Sequence, residues 1–389
     1  MTFSIQEVTD RGELSALEPE WGKFVADVPA AELFSTPAWV TSWLDAFWEG
    51  RPIRFLFARD DGRLVGVAPL LVDEEGTFCC RGALALPVDS VSWRGEVLHT
   101  PAAGDATLDA MLGHLAPGGG VRLNLRRLAD DSTTARALRA AVQRRGLWGT
   151  WRTEDRTPII TVPGSIEEYL QSRTKHVRHE LRRKQKRLLN AGPVEIRIVQ
   201  QDDELHAAFE DVRAIEAKSW KGEVASSFLE SPGAEKFYRT LFAKSAGVAW
   251  PRIYVMHFKG KPAAHVFGMV FRDQYYAFNS SFDAALGGFS PGAVLILRSI
   301  EDACVQKLKV FDFMGSEYRW KNEMATGFRQ HLHVCIFSNP LSRCGARWVS
   351  DQQVKPFVRR RLPILPRAKN ALRTWARRGR PGGRGREEA

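Results

Sequence analysis

Cysteine is scarce in this 389-residue chain: Cys79, Cys80, Cys304, Cys335 and Cys344 form no CxxC pair and no cluster with histidine at zinc-ligand spacing. That pattern excludes a disulfide scaffold and a structural zinc module, predicts no metal site, and suits a reducing cytosol. Long apolar runs are missing as well; none reaches the about 18 residues that a membrane-crossing helix needs. The N-terminus, MTFSIQEVTDRGELSALEPEW, has acids where a secretory signal has a basic start and an apolar segment, so a cytoplasmic protein is expected. The first 342 residues also lack a charge surplus, with 42 bases and 42 acids, whereas residues 343–389 hold 14 Lys/Arg against Asp351, Glu387 and Glu388. The net charge of +11 therefore belongs to the tail. Specific DNA binding over the body is not expected, and any polyanion contact should be local. What is present, 44% hydrophobic and 26% charged residues, suffices for a substantial core in two domains of ordinary size.

One internal similarity organises the chain. Arg54–Val72, RFLFARDDGRLVGVAPLLV, aligns without gaps on Arg252–Val270, RIYVMHFKGKPAAHVFGMV, and both read as strand, two-residue turn, strand, with Gly62 and Gly260 supplying the turn. Two similar halves follow, residues 1–150 and 155–342, then a basic, partly disordered tail over 343–389. In the first half Thr36-Pro37 opens a helix with Trp39, Val40, Trp43, Leu44 and Phe47 on one face, followed by a strand over 121–128 and a helix over 133–145. The second half reads as a strand near 157, one long helix over 165–190 and a strand over 195–199. A helix over 204–219, the hairpin at 253–271, a strand over 275–280, a helix over 293–307 and a strand over 310–314 complete it. Strands on both sides of helices plus an antiparallel hairpin give an α/β (α+β) class with mixed sheets flanked by helices.

The segment Gly288-Phe289-Ser290-Pro291-Gly292 matches GxSxG formally, but Pro291 has no N–H for an oxyanion hole, which argues against a hydrolase. The same residues suit a helix start with Ser290 as N-cap, Pro291 at the first position, and Gly292 and Ala293 presenting unhindered amides. Such a terminus binds anions, or is simply a well-capped helix. Asp312, between Phe311 and Phe313, faces away from both and suits either a cleft carboxylate or a sheet surface paired to an arginine. His265, among apolar neighbours, is a candidate base or a hydrogen-bonded core histidine.

The order Glu216, Ser219-Trp220-Lys221-Gly222, Pro262-Ala263-Ala264, Tyr276, Phe282-Asp283, Ser290-Pro291-Gly292, Phe311-Asp312-Phe313, Gly315, Glu317-Tyr318 resembles the GNAT superfamily. It is most similar to the branch of acetyltransferases involved in cellulose biosynthesis, itself related to Fem-type peptidyltransferases. The likeness covers residues 165–325 well and the first half weakly. It departs from the branch at Tyr318-Arg319-Trp320-Lys321, where an aromatic is displaced from the usual Tyr-Lys pattern. The resemblance implies acyl transfer directly from acetyl-CoA, a co-substrate rather than a bound cofactor, to an acceptor. Its pyrophosphate would lie at Gly288, Ser290, Gly292 and Ala293, its pantetheine along the strand bearing Tyr276 and Asn279. Asp312, Glu317 and His265 would be candidate bases, Tyr318 a candidate acid, and Glu216, Trp220, Lys221 and Asp283 acceptor contacts.

Two basic stretches stand apart. Residues 173–187 carry Arg173, Lys175, Arg178, Arg182, Arg183, Lys184, Lys186 and Arg187 beside an apolar stripe of Leu170, Val177, Leu181 and Leu188, a solvated helix face or a phosphate contact. In the tail, residues 365–378 pattern as a short basic helix with Trp375, suited to an anionic membrane surface or to disorder. The expectation is an acyltransferase acting on a carbohydrate or cell-envelope precursor. The alternatives are a Fem-like enzyme using aminoacyl-tRNA and a non-catalytic scaffold at the membrane.

Overall fold

The computed structural model describes residues 3–73, 82–89, 91–117, 120–200, 202–219 and 232–338. The expectations for Trp220, Lys221 and the tail at 343–389, including 365–378, lie outside the described residues. The first half runs β1 (Phe3–Val8), α1 (Arg11–Asp27), α2 (Pro37–Phe47), β2 (Phe55–Asp60), β3 (Arg63–Ala68), β4 (Leu71–Asp73), β5 (Ala83–Ala85), β6 (Leu98–His99), α3 (Gly104–Leu115), β7 (Arg122–Ala129), α4 (Thr133–Arg144) and β8 (Trp148–Thr161). α5 (Ile166–Ser172) and α6 (Lys175–Ala191) lead to β9 (Val194–Val199), α7 (Asp202–Glu216), α8 (Pro232–Lys244), β10 (Ala249–Pro251), β11 (Ile253–Phe258) and β12 (Lys261–Phe271). β13 (Gln274–Phe282), α9 (Pro291–Val305), β14 (Val310–Asp312), α10 (Arg319–Met324) and β15 (Gly327–Phe337) finish the described chain.

The two halves repeat one unit. In each, a six-residue strand pairs antiparallel with the first hairpin strand, Val8 opposite Phe55 and Val199 opposite Ile253. Both hairpins turn on two residues of positive φ, Asp61 (49°) with Gly62 (81°) and Lys259 (53°) with Gly260 (74°), the geometry that matches strand twist. One four-stranded sheet has the order β1-β2-β3-β6; the other is mixed, β4-β5-β7-β15-β8-β14-β13-β12-β11-β9, with β10 beside β12. Residues 150–155 lie inside β8, and β15 sits between β7 of the first half and β8. The single long helix read over 165–190 is two helices: Arg173 is extended (ψ 158°) and Thr174 caps α6, its Oγ1 accepting from Val177 N–H at 3.3 Å. A short polar side chain offers the backbone this alternative partner, so the helix restarts.

One core spans both halves. Trp39 on α2 meets Phe237 on α8 at 5.0 Å between centroids, and α1, α2, α7 and α8 share a single buried cluster. Beneath it lies a buried network of charge. Arg94, 3% exposed, donates to Asp312, 0% exposed, and to Glu32 at 3.0 Å, while Arg329 donates to the other Glu32 oxygen. Burial raises the Glu32 pKa, but the guanidiniums of Arg329 and Arg94 outweigh it and hold the carboxyl at about 2 against an ordinary 4.5.

Removing Arg94 leaves the buried Asp312 carboxylate without its cation and Glu32 with Arg329 alone, so Arg94→Met should cost about 3–5 kcal/mol in urea unfolding; a loss below about 1 kcal/mol would remove the network from its structural role. Glu32 remains ionised in the folded protein while its unfolded counterpart takes up protons, so its stabilisation, complete above pH 4.5, should fade as pH drops towards about 2. In acid unfolding curves Glu32→Gln should flatten that slope.

Candidate functional site

β13 and β14 are parallel, but pairing extends only over Gln274–Tyr276 against Val310–Asp312, while β13 continues to Phe282. Past Asp312 the chain turns towards β8, Phe313 N–H donating to the Pro158 carbonyl at 3.2 Å. The two strands therefore part at their C-terminal ends, where open α/β sheets receive ligands. On its other edge β13 bulges: Phe267 is opposite Asn279 but Gly268 opposite Ala277, so Phe278 is the extra residue. Gly268 is required there, because a Cβ would lie 2.2 Å from the Tyr276 carbonyl oxygen. The Phe278 ring is held by Trp39 at 5.4 Å and Tyr238 at 5.6 Å.

After β13, Asp283 accepts from Ala285 N–H at 2.9 Å and opens a 3₁₀ turn over Ala284–Phe289. Ser290 occupies the N-cap position of α9 but differs from expectation: at φ 56°, ψ 48° it is left-handed and its hydroxyl makes no capping bond. The turn before it sets that conformation, because Ser290 N–H is tied back to Gly287 O at 3.1 Å. Pro291 stands at the first helical position as expected, and the amides of Gly292 and Ala293 have no hydrogen-bond acceptor among the described residues. Gly292 packs on Phe282, where a Cβ would lie only 3.0 Å from Cδ1 of the ring, whereas Gly288 faces open space. Two anchors fix the helix: Asp302 receives Arg252 Nη2 at 2.7 Å and Tyr254 Oη at 2.6 Å. From α6, Arg187 reaches the same turn and donates to Gly288 O at 2.6 Å.

The titratable candidates separate into two groups. Asp312 has the predicted face but is fully engaged: Oδ1 accepts from Met314 N–H at 2.8 Å and Oδ2 from Arg94 and Gln274. Glu317 pairs twice with Arg156, 2.8 Å each, and accepts from Asn322 at 3.0 Å; the Arg156 guanidinium holds its pKa below the usual range. Tyr318 is 56% exposed at the start of α10. His265 and Glu216, by contrast, come together: Nε2 lies 2.9 Å from Oε1, with both side chains buried and Ser281 opposite His265 in the sheet. Tyr276 is buried beside the Glu32–Arg94 network, and burial keeps its phenol protonated; Asn279 flanks the bulge. Arg94 and Gly268 were not among the sequence-based site candidates, and Arg187 was read only within the basic stretch 173–187, as a solvated face or a phosphate contact. Only Arg187 carried a signal, in the basic face of α6.

Residues 175–322 match the family model described as Acetyltransferase (GNAT) domain. No curated protein matches the chain. Among solved structures, that of FemX superposes with a TM-score of 0.57 at 11% identity, covering 89% of this chain and 99% of FemX. A protein of unknown function from Bacteroides thetaiotaomicron VPI-5482 gives 0.54 at 14%, covering 86% and 100% of the two chains. The C-terminal domain (DUF2156) of a protein described as a lysylphosphatidylglycerol synthetase from Agrobacterium fabrum gives 0.50 at 11%, covering 86% and 97%. At such identities these likenesses establish the fold, which is of the GNAT type.

Because His265 and Glu216 share one buried hydrogen bond, Glu216→Ala and His265→Ala should each cost about 3 kcal/mol and the double variant less than their sum by about 1–3 kcal/mol. Strict additivity in urea titrations would show that the two do not act as a pair.

Proposed function

We propose that this protein is an acyl-CoA-dependent N- or O-acyltransferase, using acetyl-CoA and acting in the cytoplasm on a carbohydrate or cell-envelope precursor. The observation that carries this reading is the parting of β13 from β14 beside a helix N-terminus with open amides and an arginine. Anions are stabilised by such a terminus through its unpaired N–H groups and dipole. The donor's diphosphate would sit at Gly288, Ser290, Gly292 and Ala293, with Arg187 adding charge, and its pantetheine would extend along β13 from Asn279 towards Tyr276. A backbone N–H at the Phe278 bulge, left outside the regular ladder, is suited to the oxyanion of the tetrahedral intermediate.

Transfer is direct. The acceptor's nitrogen or oxygen bonds to the acyl carbon, the carbon–sulfur bond breaks, the acceptor's proton passes to the His265–Glu216 pair, and the thiolate is protonated from solvent. Glu216 orients the imidazole and stabilises it once charged, the part that carboxylates play beside catalytic histidines. Asp312 and Glu317 are set aside as bases because their oxygens are committed to Arg94 and Arg156. Acceptor contacts are assigned to Asp283 together with Trp220 and Lys221, and peripheral contact with an anionic membrane surface to residues 365–378. Among the described residues no helix is long and apolar enough to cross a membrane.

A Fem-like aminoacyl-tRNA donor is the second reading, favoured by the row of bases on α6 that Arg187 ties to the donor loop. Thermal denaturation with acetyl-CoA discriminates. A ligand at 100 times its Kd should stabilise the native state by about 2.7 kcal/mol. Arg187→Ala and Gly288→Asp should lose most of that shift; at Gly288 the new carboxylate meets no atom within 4 Å of its Cβ. Absence of any shift in the wild type, together with salt-steep binding of aminoacyl-tRNA, would transfer the assignment to the second reading.

A further inference from the structure

One strand separates the buried His265–Glu216 pair from the gap in the sheet. His265 stands on β12, whereas the gap opens along the other edge of β13: β14 pairs with β13 only as far as Tyr276, and residues 277–282 have no strand partner on that edge among the described residues. Neighbouring strands lie about 4.8 Å apart, more than the about 3 Å over which a proton passes between heavy atoms. The imidazole is also committed elsewhere, since Nε2 meets Glu216 Oε1 on α7 at 2.9 Å. An acceptor in the gap therefore needs a group on β13 to hand its proton across.

Ser281 stands in that position. It is directly opposite His265 in the β12–β13 register, so the two side chains share a face of the sheet. That face is the one covered by α7 and α8, where Phe267, two positions from His265, packs on Phe209 at 5.5 Å and Tyr238 at 4.9 Å. Ser281 is 5% exposed, yet its Oγ has no hydrogen-bond partner among the described residues. Buried hydroxyls are normally bonded, so a bare one calls for a reason. A serine hydroxyl rotates freely and can accept from one neighbour while donating to another. The surroundings hold it in register with both reactants. Ala284 N–H donates to the Lys218 carbonyl at 3.0 Å, tying the chain just past β13 to the end of α7 that bears Glu216. The next residue, Phe282, points to the opposite face, where Gly292 of the donor turn packs on it.

From this placement we infer that Ser281 is a further catalytic residue, the proton relay between an acceptor in the gap and the buried His265–Glu216 pair. This rests on the acyltransferase reading. As the acceptor's nitrogen or oxygen bonds to the acyl carbon, its proton moves to Ser281 Oγ and the serine's own proton moves to the imidazole. The serine ends the step neutral, the charge resides on His265 beside Glu216, and the carbon–sulfur bond breaks as in direct transfer.

The test is turnover of acetyl-CoA by the full-length protein with water or hydroxylamine as acceptor, read as thiol release. Water must give up a proton as it attacks, whereas hydroxylamine attacks as the free amine and needs no base to do so. Ser281→Ala should slow hydrolysis about 100-fold. It should leave the KM for acetyl-CoA, the thermal stabilisation by acetyl-CoA and the hydroxylamine reaction at wild-type values. Ser281→Thr, which keeps a hydroxyl, should restore hydrolysis. The relay is overturned if Ser281→Ala hydrolyses acetyl-CoA at the wild-type rate, if its hydroxylamine reaction falls as far as its hydrolysis, or if Ser281→Thr restores nothing. An acetyl group found on Ser281 by mass spectrometry would overturn it too, by making the serine a nucleophile. Should acetyl-CoA fail to stabilise the wild type, the donor assignment falls by itself, and p-nitrophenyl acetate, a donor without a diphosphate, decides the role of Ser281 through the same comparison. Hydrolysis of neither donor by the wild type would end the inference.

Discussion

The contact on which the rest depends is Arg94 against Asp312, made between residues 218 positions apart and sealed from water. A buried ion pair stabilises little when compared with apolar packing, yet it tolerates few alternative arrangements, because any shift leaves a charge uncompensated. Here it sets the end of β14 against the first half of the chain. Asp312 is the last residue of β14 paired with β13, so the point where the strands part is also one of the points where the halves meet. The same residue that sequence reasoning offered as a base is thereby held by an arginine of the first half where β13 and β14 part.

Packing carries this constraint to the bulge. Phe34 meets both Trp39, at 4.7 Å, and Tyr276, at 5.4 Å, and Trp39 in turn meets Phe278. First-half side chains thus press on the very stretch of β13 whose backbone departs from the ladder. The arginines at matching positions of the two hairpins are held differently: Arg54 pairs with the partly exposed Glu7, whereas Arg252 is buried on Asp302 and braces α9. At the start of α3, the first-half counterpart of the α9 start, His99 lies close to the helix, a Cβ on Gly104 standing 2.5 Å from its ring.

Local signals were legible in the sequence. The Asp61-Gly62 and Lys259-Gly260 turns, the Thr36-Pro37 start and the Pro291 start each act within a few residues, and each element formed where its signal stood. The break at Thr174 was equally local but hidden inside an uninterrupted helical pattern. Partnerships across the sheet were not legible. Alternation put Asp312 on the correct face, leaving open whether a ligand or an arginine waited there, and nothing near it in sequence points to Arg94. His265 and Glu216 each carried a signal, but for separate roles, because 49 positions divide them. β15, with Leu332, Val334 and Ile336 facing the core, has an alternation as readable as that of the strands expected from sequence, yet it was not among them.

The position of that last strand matters for how the chain comes off the ribosome. β15 pairs with β7 along one side and β8 along the other, so the early-made portion has a vacant lane in its sheet until residue 337 has emerged. Domains usually fold in the order of their synthesis. This one must wait with two strand edges unsatisfied, a period in which a chaperone, or a neighbouring nascent chain, is the natural competitor for the gap.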